Sequence, residues 1–240
     1  MFFKTSRKSN TLNHLGIIMD GNRRWAKSKG LESIKGHKQG IETAKVIIKA
    51  AIEENISFLT LFAFSSENWK RDPSEIKDLM NLLRLFLNNE VDSLSNSGVK
   101  ISILGDISQF DNDIKNNILK AKTFNKKKFK INLIIAINYG ARQEITRAAK
   151  EICKKVLKNK IQVNQIDENE IENNLYTKGL PDPDLIIRTG GDSRLSNFLL
   201  WQVAYTELVF FKKTWPDFTK KDFLKAISEF NSRERRFGGY

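Results

Sequence analysis

Short apolar runs alternate along the chain with longer segments in which apolar residues recur every three or four positions. The runs Leu15–Met19, Phe58–Phe64, Val99–Leu104, Lys130–Ile137, Leu185–Arg188 and Leu208–Phe211 have strand length. Between them the helical period predicts helices over Ile41–Glu54, Pro73–Ser95, Asp111–Lys122, Arg142–Lys158, Glu168–Leu175 and Asp222–Phe230. Val99–Leu104 and its neighbours are continuous apolar stretches, the pattern of strands covered on both faces. The expected fold is α/β, with a mainly parallel sheet flanked by helices.

The segment after Pro73 has the strongest pattern, with Ile76, Leu79, Met80, Leu83, Phe86, Leu87, Val91 and Leu94 on one stripe. Leu82 and Leu85 widen it. A helix apolar around so much of its girth needs a second cover, and core packing, another helix, a subunit or a bound hydrocarbon would each serve. Pro181 and Pro183 end a helix and straighten the chain into Leu185–Arg188.

Composition narrows the class. The 240 residues suit one domain with a full core, and a net charge of +13 favours an anionic partner such as nucleic acid, a phosphorylated metabolite or an anionic membrane surface. Residues 1–13 form a basic tail before the domain at 14–240, and Lys120–Lys130 is a second acid-free basic stretch. The single cysteine, Cys153, falls in a helical pattern and predicts a partly buried residue in a reducing compartment. With no run near the roughly 18 apolar residues of a membrane span, a soluble cytoplasmic protein is expected.

Most predicted strands run into a polar or glycine-containing turn. These are Asp20-Gly21-Asn22, Ser65-Ser66-Glu67-Asn68-Trp69, Gly105-Asp106, Asn138-Tyr139-Gly140 and Arg188-Thr189-Gly190-Gly191. In a parallel sheet such turns share the carboxyl edge, where open α/β folds bind ligands. Glycines there expose backbone N–H groups, and Arg24, Arg71, Arg188 and Arg194 add planar donors suited to phosphate. The chain has no Walker loop, no dinucleotide-binding glycine fingerprint, no zinc-ligand constellation and no nucleophile elbow. What remains is Asp20 and Glu207, hard oxygen ligands of the kind that bind Mg²⁺ together with substrate phosphates. Each also has a plainer reading: Asp20 or Asn22 as a helix N-cap, His37 as a surface histidine, Trp25 and Trp69 as rim packing, and Glu207 as a surface acid beside a strand.

The residues Asp20–Ala26, Gly36-His37, Phe64–Trp69 with Arg71, Asp184–Gly191, Arg194–Gln202 and Trp215–Phe218 resemble, in unbroken order, the motifs of the cis-prenyltransferases, nearest to the bacterial undecaprenyl diphosphate synthases. That resemblance implies a six-stranded parallel sheet, a hydrophobic tunnel between sheet and helices, and a homodimer. The implied reaction is sequential, Mg²⁺-dependent cis condensation of isopentenyl diphosphate onto an allylic diphosphate, with farnesyl diphosphate as the expected starter. A long-chain product is expected, undecaprenyl diphosphate in particular, the precursor of the lipid carrier for cell-wall glycans; a shorter product is the alternative.

The resemblance also assigns roles. Asp20 becomes the catalytic aspartate and Mg²⁺ ligand, Glu207 the second ligand, and Gly21, Asn22, Arg23, Arg24 and His37 the allylic diphosphate site, with Trp25 as its wall. Ser65, Ser66, Glu67, Asn68, Trp69 and Arg71 form the loop that positions substrates. Arg188, Arg194, Leu195 and Ser196 belong to the isopentenyl diphosphate site. Arg236-Phe237-Gly238 matches an element that reaches the partner subunit's site. Asn68 is the family's proton acceptor, yet a neutral amide does not titrate near pH 7, so orienting the base is the better role. Ser33 stands where many relatives carry a basic residue that helps hold substrate, and Ser193 where some place a histidine near the metal, which bears on substrate affinity. The rival reading is a basic nucleic-acid-binding module, which would need no Asp20 or Glu207. No nucleic acid is expected as partner, and the product is expected to be handed to a membrane, with the protein peripheral at its inner face.

Overall fold

A computed structural model describes residues 11–123 and 128–234. Six strands form one sheet: β1 (His14–Ile18), β2 (Phe58–Ser65), β3 (Val99–Leu104), β4 (Ile131–Tyr139), β5 (Leu185–Arg188) and β6 (Glu207–Phe210). Their order is β3-β4-β2-β1-β5-β6, and every pairing is parallel, so the expected mainly parallel sheet is wholly parallel. The helices are α1 (Asn22–Ser28), α2 (Ser33–Glu53), α3 (Pro73–Asn89), α4 (Val91–Asn96), α5 (Asn112–Thr123), α6 (Ala141–Leu157), α7 (Glu168–Glu172) and α8 (Lys220–Ser232).

Alternation along the strands divides the core. Leu133, Ile135 and Ile137 of β4 join the larger cluster with residues of α2, α3, α5 and α8. Ile134 and Ala136 point to the other face, which Tyr139, Ala141, Phe198 and Leu199 cover. That second face also holds a buried polar knot. Glu144, with no solvent exposure, accepts hydrogen bonds from Tyr139 Oη (2.6 Å), Tyr176 N (2.7 Å) and Gln202 Nε2 (3.2 Å). Burial beside that carboxylate pushes the Tyr139 phenol far above its ordinary pKa.

Three expectations are corrected. The single helix from Pro73 ends at Asn89, and Val91–Asn96 is a separate turn and a half beyond Glu90. Asn22–Ser28 is a helix the periodicity did not reveal, and α2 begins at Ser33, well before Ile41. Cys153 is exposed, because the buried stripe of α6 runs through Ala141, Glu144, Ala148 and Ile152, one position away. The basic tail falls mostly outside the described residues, although Leu12 is already buried and Asn13 N donates to Asp184 Oδ2. Among the described residues no helix is long and apolar enough to cross a membrane.

Candidate active site

The sheet order places the site. β1 lies at the centre, its path to β2 leads one way and β5 adds on the other side, so a crevice opens between the carboxyl ends of β1 and β5. Ile18 pairs with Arg188 there, and the chain after Ile18 carries Asp20 into the crevice. Asp20 is not a helix cap: Gly21, with φ 105°, occupies the cap position of α1. The Asp20 carboxylate instead accepts from Arg188 Nη2 at 2.9 Å and pairs with Arg24 Nη2 at 3.0 Å. Burial alone would raise its pKa, but the hydrogen bonds from Arg188 and Arg24 outweigh it and hold the carboxyl below its ordinary value.

Arg188 is itself fixed from several sides. Its side chain is 3% exposed, and Nη1 donates to Ser196 Oγ (2.7 Å) and to the carbonyl of Arg194. The loop that supplies these acceptors is contorted, with Ser196, Asn197 and Leu199 all at positive φ. A branched-chain residue such as leucine rarely adopts that conformation, and such departures gather where function dictates the backbone. Arg24 Nη1 donates to Gly190 O at 2.6 Å, and a Cβ added at Gly190 would lie 2.7 Å from Arg24 Nη2.

A second group of cations enters from α1 and the turn Ser66–Lys70. Glu75, at the start of α3, pairs with Arg71 (2.8 Å) and Arg23 (3.4 Å). His37 lies beside them with Nε2 buried and unpartnered, and burial together with Arg71 lowers its pKa to about 4. It is therefore neutral near pH 7 and not the plain surface histidine. The close approach of α1 to α2 depends on Gly36, where a Cβ would stand 2.1 Å from Asn22 O. Asn68 Oδ1 accepts from Ser65 N at 3.0 Å, which fixes the loop's entrance to the rim. Trp69 faces inward against Phe64 and Phe110, and its Nε1 donates to Asn138 Oδ1 (2.8 Å).

These groups ring the mouth of a cavity of about 1020 Å³ between the sheet and helices α2 and α3. Asp20, Gly21, Asn22, Arg23, Arg24, Ser33, His37, Ser65, Asn68, Arg71, Arg188, Arg194 and Ser196 line it near the rim. Deeper, Leu61, Leu133 and Ile135 from the sheet face Ala44 and Ile48 of α2 and Leu79, Leu83 and Phe86 of α3. The broad α3 stripe is divided: Leu87 packs into the core, Leu79, Met80, Leu82, Leu83 and Phe86 line this cavity, and Leu85, expected to widen the stripe, is exposed. A polar ring at the mouth of an apolar pocket suits an amphiphile with an anionic head.

Residues 18–238 match the family described as "Putative undecaprenyl diphosphate synthase". The chain belongs to that prenyltransferase family. A protein of Agrobacterium fabrum named isoprenyl transferase is 45% identical over 98% of this chain and 95% of its own length. One of the same name from Clostridium perfringens is 47% identical over 94% of this chain and 89% of its own. The crystal structure of lavandulyl diphosphate synthase from Lavandula x intermedia, in complex with dimethylallyl diphosphate, superposes with a TM-score of 0.93 at 37% identity, covering 95% of this chain and 99% of that one. The activity supported at this level is prenyl transfer by an α/β prenyltransferase.

Within this family member not every expected site residue reaches the cavity. Glu207 opens β6, where it pairs in register with Leu185 at the amino end of β5, whereas Asp20 lies beyond the carboxyl end of β1. Its carboxylate accepts from Arg233 Nη1 at 2.7 Å. One chain therefore does not bring Glu207 and Asp20 to a shared ion, because parallel register separates the two ends of the sheet. Trp25 points away from the mouth; its Nε1 donates to Asp217 Oδ1 (2.8 Å) and Lys29 covers its ring, so it forms no wall. Trp69, Ser66, Glu67 and Leu195 also lie outside the cavity lining. Glu67 accepts from Asn197 Nδ2 (2.7 Å), tying the Ser65–Arg71 loop to the Ser196 loop, and Leu195 packs on the second core.

Sequence reading passed over Glu75 and Asp192, and named Asn138 only as part of a strand-end turn, with no role of its own. Each is a lone polar residue outside an obvious pattern, but Asn138 had a signal in its strand-end position. It sits at φ 46° with its side chain shared between Trp69 and Asp106 O (2.7 Å).

Proposed function

We propose that this protein condenses isopentenyl diphosphate onto an allylic diphosphate, with farnesyl diphosphate as starter, in repeated cis additions that yield a long-chain polyprenyl diphosphate such as undecaprenyl diphosphate. One observation carries this reading: a guanidinium-rich rim around Asp20 opens directly into a deep apolar cavity, matching a diphosphate head and a growing hydrocarbon tail. In each cycle the allylic C–O bond breaks, a C–C bond forms to the second substrate's alkene, a proton leaves, and inorganic diphosphate is released.

Arg24, Arg188 and Arg194 stabilise charge that builds on phosphate oxygens, and they do so most strongly where the apolar wall excludes water. Buried Arg188 is held in place before substrate arrives, so its reorganisation during the reaction is small. Neutral His37 offers a hydrogen bond to phosphate or tail-proximal oxygen without adding charge. Asn68 orients the groups around the departing proton, and the base is a diphosphate oxygen or Asp20.

Mg²⁺ fits this site. Among the described residues no three His, Cys, Asp or Glu side chains form a metal cage, but Mg²⁺ keeps several waters and needs only one or two carboxylates beside substrate phosphates. Asp20, with its side chain 28% exposed, meets that requirement. When bound there with a diphosphate, Mg²⁺ would neutralise the charge of the leaving group. Completion of the site by a second copy of the chain also belongs to this reading; the Arg236-Phe237-Gly238 element lies outside the described residues. Release of so apolar a product favours handing it to a membrane, with the cytoplasmic protein peripheral at the inner face.

The test is incubation with farnesyl diphosphate, labelled isopentenyl diphosphate and Mg²⁺, followed by mass analysis of extracted lipid. A ladder ending in a polyprenyl diphosphate is expected. No elongated product across starters and metal concentrations would reject the reading.

A further inference from the structure

Asp192 makes an unusual set of contacts. Its Oδ1 lies 2.9 Å from Arg194 Nη1 and its Oδ2 accepts from Arg194 Nη2 at 3.1 Å, the fork-on-fork geometry that arginine also uses to grip phosphate. The same Oδ2 lies 3.4 Å from Arg24 Nη2 and 3.7 Å from Arg188 Nη2. Gly190 and Gly191, at φ 88° and 89°, fold the loop so that this side chain returns over the cluster. Arg24 Nη2 and Arg188 Nη2 are the same two atoms that contact Asp20. Two carboxylates thus bear on three guanidiniums, with Arg24 and Arg188 common to both; their side-chain exposures are alike, 28% and 31%, but Arg188 Nη2 lies 2.9 Å from Asp20 and 3.7 Å from Asp192, so Asp20 is the one hydrogen-bonded to the buried arginine.

We infer that Asp192 is a resident counter-anion: it occupies the guanidinium cluster when the site is empty, yields it to an incoming diphosphate, and returns as inorganic diphosphate leaves. This rests on the proposed diphosphate chemistry of the rim. A site that must expel a diphosphate after every addition gains nothing from gripping it too tightly, since equal stabilisation of bound ground states does not speed turnover. A carboxylate on a glycine-hinged loop weakens that grip by its charge and keeps the three arginines from repelling one another in between. The opposing possibility is that Asp192 merely aligns Arg194, in which case losing it would weaken anion binding.

The measurement is calorimetric binding of inorganic pyrophosphate to the full chain at fixed ionic strength, for wild type, Asp192→Asn and Asp192→Glu, with thermal melts confirming that each is folded. Asp192→Asn should bind on the order of fivefold more tightly, the effect of removing one unit charge about 4 Å away in a water-like medium. Asp192→Glu, which keeps the charge, should stay near wild type. In steady state Asp192→Asn should lower KM for the second diphosphate substrate and also lower kcat as release slows. Unchanged or weaker pyrophosphate binding by Asp192→Asn overturns the counter-anion role while leaving the diphosphate site standing. Should Asn at 192 fail to fold, Asp192→Ser answers the same question. Failure of the wild type itself to bind pyrophosphate would overturn both.

Discussion

Replacing Asp20 with asparagine removes one negative charge and preserves shape, so it isolates what the carboxylate contributes. In the folded protein that charge has two partners of different character. Arg188 is 3% exposed and Arg24 is 53% exposed, so the first contact is shielded from water and the second is largely screened. Losing the charge-assisted bond to Arg188 should cost about 1.5–3 kcal/mol, with little added by Arg24. For a chain of this size that corresponds to a fall in Tm of roughly 3–12 °C. Asp192, 3.7 Å from the same nitrogen, can take up part of the loss and favours the lower end. The effect on chemistry should be far larger, a drop in single-turnover rate of about a hundredfold to a thousandfold, as for removal of one preorganised electrostatic contact. Rapid-quench single-turnover assays with farnesyl and isopentenyl diphosphates, beside differential scanning calorimetry, separate the two. A variant that turns over within tenfold of wild type would refute the central role of Asp20, and a loss of activity explained wholly by unfolding would do the same.

Three further outcomes are expected. Ala44 faces the cavity from α2, so Ala44→Phe should shorten the product while leaving the first condensation nearly intact, read by mass spectrometry; an unaltered length would place the growing tail elsewhere. Asn138→Ala strands the Trp69 indole N–H and the carbonyl of Asp106, and should destabilise by about 1–3 kcal/mol and raise KM more than it lowers kcat; a purely thermal effect would separate Asn138 from the substrate loop. His14 and His37 are each lowered to about 4 from 6.5, so the unfolded chain binds more protons between those values, and stability should fall as pH drops through that window. Thermal melts from pH 7 to 4.5 should show that slope and lose part of it in His37→Gln; identical slopes would contradict a buried neutral His37. Asp20 acts in the opposite sense of charge and lower on the scale, its contribution vanishing only as pH falls through a pKa below the usual carboxylate range.

The strands were legible because burial on both faces leaves continuous apolar runs, and β4, buried along its whole length, is the clearest of them. α1 was not legible because its seven residues bury only Ala26 and follow a glycine cap that leaves no side-chain signature. The break at Glu90 was equally silent, since Leu87 and Val91 are both buried and the apolar stripe runs across it. At the site, residues fixed by strand ends were readable: Asp20, Asn68 and Arg188 all lie on the cavity mouth. Glu207 and Trp25 lie away from the cavity of the single chain for one reason. Sequence adjacency to a motif does not say which end of a strand, or which side of a short helix, a residue occupies. Asp192 and Glu75 went unremarked because their meaning lies wholly in the arginines that the fold brings to them.

The central position of β1 also governs the order in which the protein can be made. β1 and β2 leave the ribosome close together, but the second edge of β1 must wait for β5, and Asp20 is 168 positions ahead of Arg188 in the chain. At cellular translation speeds that gap is roughly ten to thirty seconds, during which a bare apolar strand edge is open to wrong partners. The polar rim of the cavity is thus among the last features to exist during synthesis. Nascent chains lacking β5 carry Asp20 with Arg24 but without Arg188, and they are the species on which a holding chaperone has most to offer.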